Sequence, residues 1–174
     1  PSVIAENTLK SLGRRDAALS ARLPGMVRAG LSNLYNFQNP DGGWGWWNDE
    51  SSPYTTAYVV YGLTYARRTG YRLDESVLRR GLQSLRTQVA RIEKAARVKS
   101  PDKAPFSNLN ERIYMHYALS LNSAADPAAV RGIYANRQAM DAWGRAVLAL
   151  TLYEMRDNAR AGRVADELMS GSAY

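Results

Sequence analysis

The 174-residue sequence predicts an all-α fold. Apolar residues recur at alternating steps of three and four through most of the chain. Helix-starting and helix-stopping residues fall at the ends of those stretches. A third observation narrows the architecture. Mostly apolar helices alternate with amphipathic ones, and related elements return, as in Arg28-Ala29-Gly30-Leu31-Ser32-Asn33-Leu34 and Arg80-Gly81-Leu82-Gln83-Ser84-Leu85. Helical hairpins that cannot bury their faces alone stack into a solenoid or close into a ring. With apolar helices inside and amphipathic ones outside, the ring is an α/α toroid. About eight helices are expected, near residues 2–13, 24–38, 54–69, 74–98, 108–122, 127–136, 138–156 and 158–170, in one domain spanning 1–174.

Each element has a local reason. Val3 to Leu12 forms a first helix stopped at Gly13, and Pro24 to Phe37 a second, with Met26, Val27, Leu31, Leu34 and Tyr35 apolar. Pro53 to Ala66 carries no charge. Tyr54, Tyr58, Tyr61 and Tyr65 make one stripe, while Val59, Val60, Leu63 and Ala66 take other directions. A helix apolar all round is expected to be buried all round, so this reads as an inner helix with Gly70 at its C-terminal cap. Asp74 is the N-cap of the next helix, where Leu78, Leu82, Leu85, Val89, Ile92 and Ala96 place a single apolar stripe. Asn110–Leu121 and Ala142–Tyr153 repeat the inner type. Between them Asp126 caps a short helix with Pro127 at its first position. A last amphipathic helix carries Ala161, Val164, Ala165, Leu168 and Met169.

Composition removes several classes of function. With no cysteine, a disulfide framework, a thiolate metal site and a cysteine nucleophile are excluded within these residues. An apolar share of 45% is ordinary for a globule, and no apolar run approaches the roughly 18 residues of a membrane helix. The chain begins at Pro1 without an initiator Met and is expected to be a processed piece or a fragment. The net charge of +7 would suit nucleic acid, an anionic membrane surface or an acidic partner. The basic residues are spread along the chain and often sit beside acids. The densest stretch, Arg86 to Lys103, lacks interleaved aromatics for base stacking, so a solvated basic face is expected rather than a nucleic-acid groove.

Phe37-Gln38-Asn39-Pro40-Asp41-Gly42-Gly43-Trp44-Gly45-Trp46-Trp47-Asn48-Asp49-Glu50 is the most specific stretch. Asn39-Pro40-Asp41-Gly42 is turn chemistry, with Pro fixing φ and Gly supplying a positive φ. If the loop is extended, Trp44 and Trp46 share one direction and Trp47 takes the other. A Gln followed by Gly and Trp can tie one hairpin to the next: the amide bonds to nearby backbone and the indole packs in the junction. The structural motif is therefore Gln38, Asp41, Gly42, Gly43, Trp44, Trp46 and Trp47. A sugar-binding aromatic platform is the other use of these rings.

Gln38-Asn39-Pro40-Asp41-Gly42-Gly43-Trp44 resembles the glutamine–tryptophan repeats of terpene cyclases. It resembles more closely the thioester-containing domain of the bacterial alpha-2-macroglobulin family, shared with complement proteins. There an Asp-Gly-Gly-Trp-Gly-Trp-Trp loop leads into a helix like Pro53–Leu63, and the similarity continues through Ala66, Gly70-Tyr71, Leu78 and Arg80-Gly81-Leu82. The resemblance covers 24–85 by motif and the later helices in kind. It implies an incomplete toroid, about two-thirds of the family's dozen or so helices. It implies that Pro1-Ser2-Val3-Ile4 follows the position of a Cys-x-Glu-Gln thioester motif, which would lie upstream and outside this sequence. It implies a fragment of a protease inhibitor, exported to the periplasm or beyond. Its partners would be the rest of the parent macroglobulin and the target proteases, and the fragment would be prone to self-association.

No catalytic, cofactor-binding or metal-binding residue is expected within the chain. The single histidine, His116, lies between Tyr114 and Tyr117 in an apolar helix and reads as a satisfied core residue. No Asp-x-Asp-Asp run of a terpene cyclase, Gly-x-Ser-x-Gly elbow or phosphate loop is present. The alternative function is an α/α-toroid glycan hydrolase or lyase using Asp41, Asp49 or Glu50 beside Trp44, Trp46 and Trp47.

Overall fold

The computed structural model describes residues 17–46, 50–97 and 108–171. The helix expected near 2–13, Trp47, Asp49 and the basic loop 99–107 lie outside them. The described residues form seven α-helices, one 3-10 turn and no strand: α1 (Ala17–Asn36), α2 (Pro53–Arg68), α3 (Glu75–Arg97), α4 (Leu109–Ser120), α5 (Pro127–Ala135), α6 (Ala142–Glu154) and α7 (Asn158–Gly171). The all-α class is as the sequence predicts.

The helices make two layers. α2, α4 and α6 stand side by side with α4 in the middle, and α3, α5 and α7 each pack against the helix before them. The three inner helices run the same way. At their ends, the Arg68 guanidinium donates to the Leu121 carbonyl at 2.7 Å and to Glu154 at 3.0 Å. Near their starts, Tyr54, Tyr114 and Trp143 form a chain of rings with centroids 5.3 and 5.9 Å apart.

Short-range chemistry starts these helices where they start. Ser52 accepts from the Thr55 amide at 3.4 Å, Asn108 from Asn110 at 2.8 Å, Asp126 from Ala128 at 2.8 Å and Asp141 from Gly144 at 2.7 Å. Asp74 takes both the Ser76 amide, at 2.9 Å, and the Ser76 hydroxyl, at 2.6 Å.

The inner helices also share one way of ending. In each, a left-handed residue lets two amides reach back into the last turn. Gly70 (φ +93°) and Tyr71 donate to Arg67 and Ala66 after α2; Ser123 (φ +56°) and Ala124 donate to Ser120 and Leu119 after α4. Arg156 (φ +65°) and Asp157 donate to Tyr153 and Leu152 after α6. Only the first of these positions is a glycine. A side chain in the left-handed region carries a steric cost that glycine lacks. Ser123→Gly and Arg156→Gly are each expected to raise stability by about 0.5–1 kcal/mol, because both side chains are exposed and the relief exceeds glycine's entropy. A urea midpoint that falls in both variants would contradict this.

The core has two lobes that meet at α4. Val60, Leu63, Leu78, Leu85, Val89 and Trp44 pack with Met115 and Leu119 in one, and Ile113 joins Val130, Ile133, Leu148, Leu152 and Val164 in the other. α4 is thus a central wall with both flanks buried.

Three expectations are corrected. The helix expected at 24–38 is already present at Ala17, where the described residues begin, and carries Pro24 inside it. Leu23, Val27 and Leu31 are all buried at steps of four, so one apolar stripe runs through the proline and outweighs the amide it lacks. The helix expected at 138–156 is α6 alone. A 3-10 turn at Arg137–Ala139 and an extended Met140 precede it, and the Asp141 cap marks its start. Finally, α2 is not buried all round. Its valine and leucine flank is buried, yet Tyr54 and Tyr58 are 38% and 54% exposed. Tyrosine keeps a polar tip in water while its ring packs on neighbours, so a tyrosine stripe does not demand full burial.

Candidate functional site

The tryptophan loop sits where α1, α2 and α3 meet. Its turn is held from within: Gly42 donates to the Asn39 carbonyl at 2.8 Å and Asn39 to the Gly43 carbonyl at 2.9 Å. Asp41 accepts from the Gly43 amide at 2.9 Å and from the Ser51 hydroxyl at 2.6 Å. Gly42 is at φ +85°, and a Cβ there would lie 2.7 Å from the Arg80 carbonyl oxygen, so the position excludes a side chain on two grounds.

Gln38 reaches beyond the loop. Its amide nitrogen donates to the Gly42 carbonyl and, across 39 residues, to the Val77 carbonyl in the first turn of α3, both at 2.9 Å. Its carbonyl accepts from the Arg80 guanidinium through both Nε and Nη2. All of its strong bonding capacity is therefore directed at the loop and at α3.

Trp44 is 2% exposed. Its indole N–H donates to the Leu34 carbonyl in α1 at 2.8 Å. Its backbone amide donates to the Thr56 hydroxyl at 3.0 Å, and that hydroxyl donates back to the Trp44 carbonyl at 3.2 Å. The ring lies over Gly81, where an added Cβ would fall 2.7 Å from Trp44 Cζ3. One residue thus contacts α1, α2 and α3. Trp46 does not share its direction: it is 76% exposed and lines an apolar groove of about 520 Å³ with Phe37, Tyr54 and Tyr58. The loop folds back at this point, with Ser52 donating to the Trp44 carbonyl at 2.9 Å, so the extended alternation does not apply. Glu50, a candidate acid of the alternative function, is exposed.

A second cluster lies between α3 and α4. Glu93 accepts from Arg112 at 2.6 and 3.0 Å and pairs with His116 Nε2 at 3.2 Å. His116 is fully buried and Glu93 nearly so. Burial alone would push the Glu93 carboxyl up, but the hydrogen bonds from His116 and Arg112 outweigh it and bring it down to about 2. With Glu93 ionised, Nε2 carries the shared proton. His116 Nδ1 has no partner, so the histidine is a core residue with only one nitrogen satisfied. The carboxylate was the readable clue. Glu93 stands four residues after Val89 on the buried side of α3, and an acid there needs a partner. Among the described residues, no group of three His, Asp or Glu side chains could hold a metal ion, and no helix is long and apolar enough to cross a membrane.

The fold and the loop together define a class: a layered array of helical hairpins whose first junction is tied by a glutamine and a tryptophan. No family model matches the chain. Over 62 residues it is 45% identical to the alpha-2-macroglobulin of Thermotoga maritima, which is 35% of this chain and 4% of that protein. Its fold is similar to that of native alpha-2-macroglobulin from Escherichia coli, from domain MG7 to the C-terminus, with TM-score 0.67 and 22% identity over 93% of this chain and 26% of that one. The trypsin-activated E. coli protein gives 0.69 and 24%, over 93% and 11%. Salmonella alpha-2-macroglobulin reacted with methylamine gives 0.68 and 21%, again over 93% and 11%. The chain is similar to bacterial alpha-2-macroglobulins in sequence over 62 residues and in fold over nearly its whole length, and it spans a small part of each.

Proposed function

We propose that the chain is part of the thioester-type domain of a bacterial alpha-2-macroglobulin-like protease trap. The observation that carries this is the 45% identity to the Thermotoga maritima protein over 62 residues, in a chain whose fold is also similar to that of the E. coli protein. A protease cleaves a bait region elsewhere in the parent. The parent changes shape, exposes this domain, and cages the protease or holds it covalently. The residues described here act as packing wall and interaction surface and perform no catalysis. Gln38, Asp41, Gly42, Gly43 and Trp44 form the part of the structural motif that holds the first hairpin junction. Any Cys-x-Glu-Gln thioester belongs upstream of Pro1, and the setting is periplasmic or extracellular. The sequence directly upstream of Pro1 in the parent tests this placement: relation to the macroglobulins supports it, and its absence removes it.

Two observations speak against the glycan-cleaving alternative. Asp41 gives one oxygen to Ser51 and the Gly43 amide, which is turn chemistry, and the similar proteins are macroglobulins rather than glycosidases.

The arc α2–α4–α6 is part of a toroid, and its exposed rings and aliphatic side chains, Tyr58, Trp143, Leu150 and Tyr153, are apolar surface that further parts of the parent cover. The isolated chain is therefore expected to self-associate. Light scattering should show a mass above 19.3 kDa that grows with concentration. A monomer at every concentration would contradict it.

A further inference from the structure

The outward face of α3 carries Arg79, Arg80, Arg86, Arg91 and Lys94, all exposed. At about 100° per residue these five lie within roughly 140° of arc, interleaved with exposed Gln83, Thr87 and Ala90. From Arg79 to Lys94 the helix has one acid, Glu93, and it turns inward to Arg112 and His116. Among the described residues Arg79, Arg86, Arg91 and Lys94 have no ion-pair partner, while Arg80 is held by Gln38. Uncompensated guanidinium groups on one helix face raise a local positive field and favour bidentate carboxylate partners.

The face is also shaped. A groove of about 610 Å³ runs along one side of it, between α3 and the α4–α5 turn, with Arg86, Thr87 and Asp126 on its wall and the paired Glu93 and His116 in its floor. A second, of about 320 Å³, runs along the other side, between α3 and the tryptophan loop, with Arg80 and Arg91 on its wall. Gln83 and Thr87 line both, so the grooves flank a single ridge.

We propose that this ridge and its two grooves dock an acidic polypeptide segment, with carboxylates on Arg86 and Arg91 and neighbouring side chains entering the grooves. A nucleic acid fits less well. Neither groove has a Phe, Tyr or Trp among its lining residues for base stacking, and the one ring in the larger groove, His116, is fully buried. The proposal does not depend on the protease-trap reading, since it rests on charge and shape alone.

The probe is a fluorescein-labelled 12-residue peptide alternating Glu and Ser, titrated with the full chain and read by anisotropy in 50 mM salt. Binding is expected. The paired change Arg86→Glu with Arg91→Glu should weaken it at least tenfold, whereas Arg28→Glu with Arg131→Glu, equal in charge but remote, should weaken it less than threefold. The imidazole proton signals of His116, the chain's one histidine, should shift on peptide addition because that ring floors the larger groove. Circular dichroism confirms that both paired variants remain helical. The proposal is overturned by any of three results: equal loss in the two paired variants, an unshifted His116 signal at saturating peptide, or tighter binding of a 12-nucleotide single-stranded DNA.

Discussion

Trp44→Ala is expected to destabilise the fold by about 3–5 kcal/mol, the largest effect of any single truncation in the loop. Three losses combine. The indole is 2% exposed, so its removal opens a cavity against Gly81 and Val60. The Leu34 carbonyl, which accepts from the indole N–H at 2.8 Å, loses its donor. The ring is also the contact through which α1, α2 and α3 meet. Urea unfolding measures the change. Trp46→Ala is the control: that ring is 76% exposed, and its loss is expected to cost less than about 0.5 kcal/mol. Equal effects at the two positions would mean that the loop does not hold the junction.

The second large effect concerns Glu93. Glu93→Ala leaves the Arg112 guanidinium largely buried without a partner and strips His116 Nε2 of its acceptor. Breaking such a pair from one side costs about 3–5 kcal/mol, because the remaining charge keeps its desolvation penalty. The same carboxylate makes stability depend on pH. Its folded value of about 2 lies below the ordinary 4.5, so the folded protein holds its proton less tightly than the unfolded chain does. The contribution, roughly 3 kcal/mol, is fully present above pH 4.5 and is lost as pH falls from there through about 2. Urea unfolding between pH 7 and pH 2.5 should show a steeper acid loss in the parent sequence than in Glu93→Ala. Parallel curves would contradict it.

The sequence reveals what rests on local chemistry. Gly70 ends α2, Asp74 starts α3 and Asp126-Pro127 starts α5 because neighbouring backbone alone decides those points. The tryptophan loop stands out because its residue types have few other uses together. What the sequence hides depends on distant partners. Ser123 and Arg156 adopt the left-handed form that Gly70 adopts freely, and nothing in their side chains signals it; the packing of α4 and α6 imposes it. Pro24 looks like a helix start until the buried stripe from Leu23 to Leu31 is seen to pass through it. The tyrosine stripe of α2 looks like core and stands half in water. Glu93, Arg112 and His116 lie far enough apart in the chain that only the packing of α3 against α4 joins them, although an acid on a buried helix flank was a readable sign.

The proposed place of the chain in a protease trap is tested most directly with the parent protein. Incubated with a slight excess of parent, trypsin should lose most of its activity on casein while keeping its activity on a small chromogenic amide, since a caged protease still admits small substrates. Trypsin that cleaves casein as fast as before, or that loses both activities together, would contradict the account.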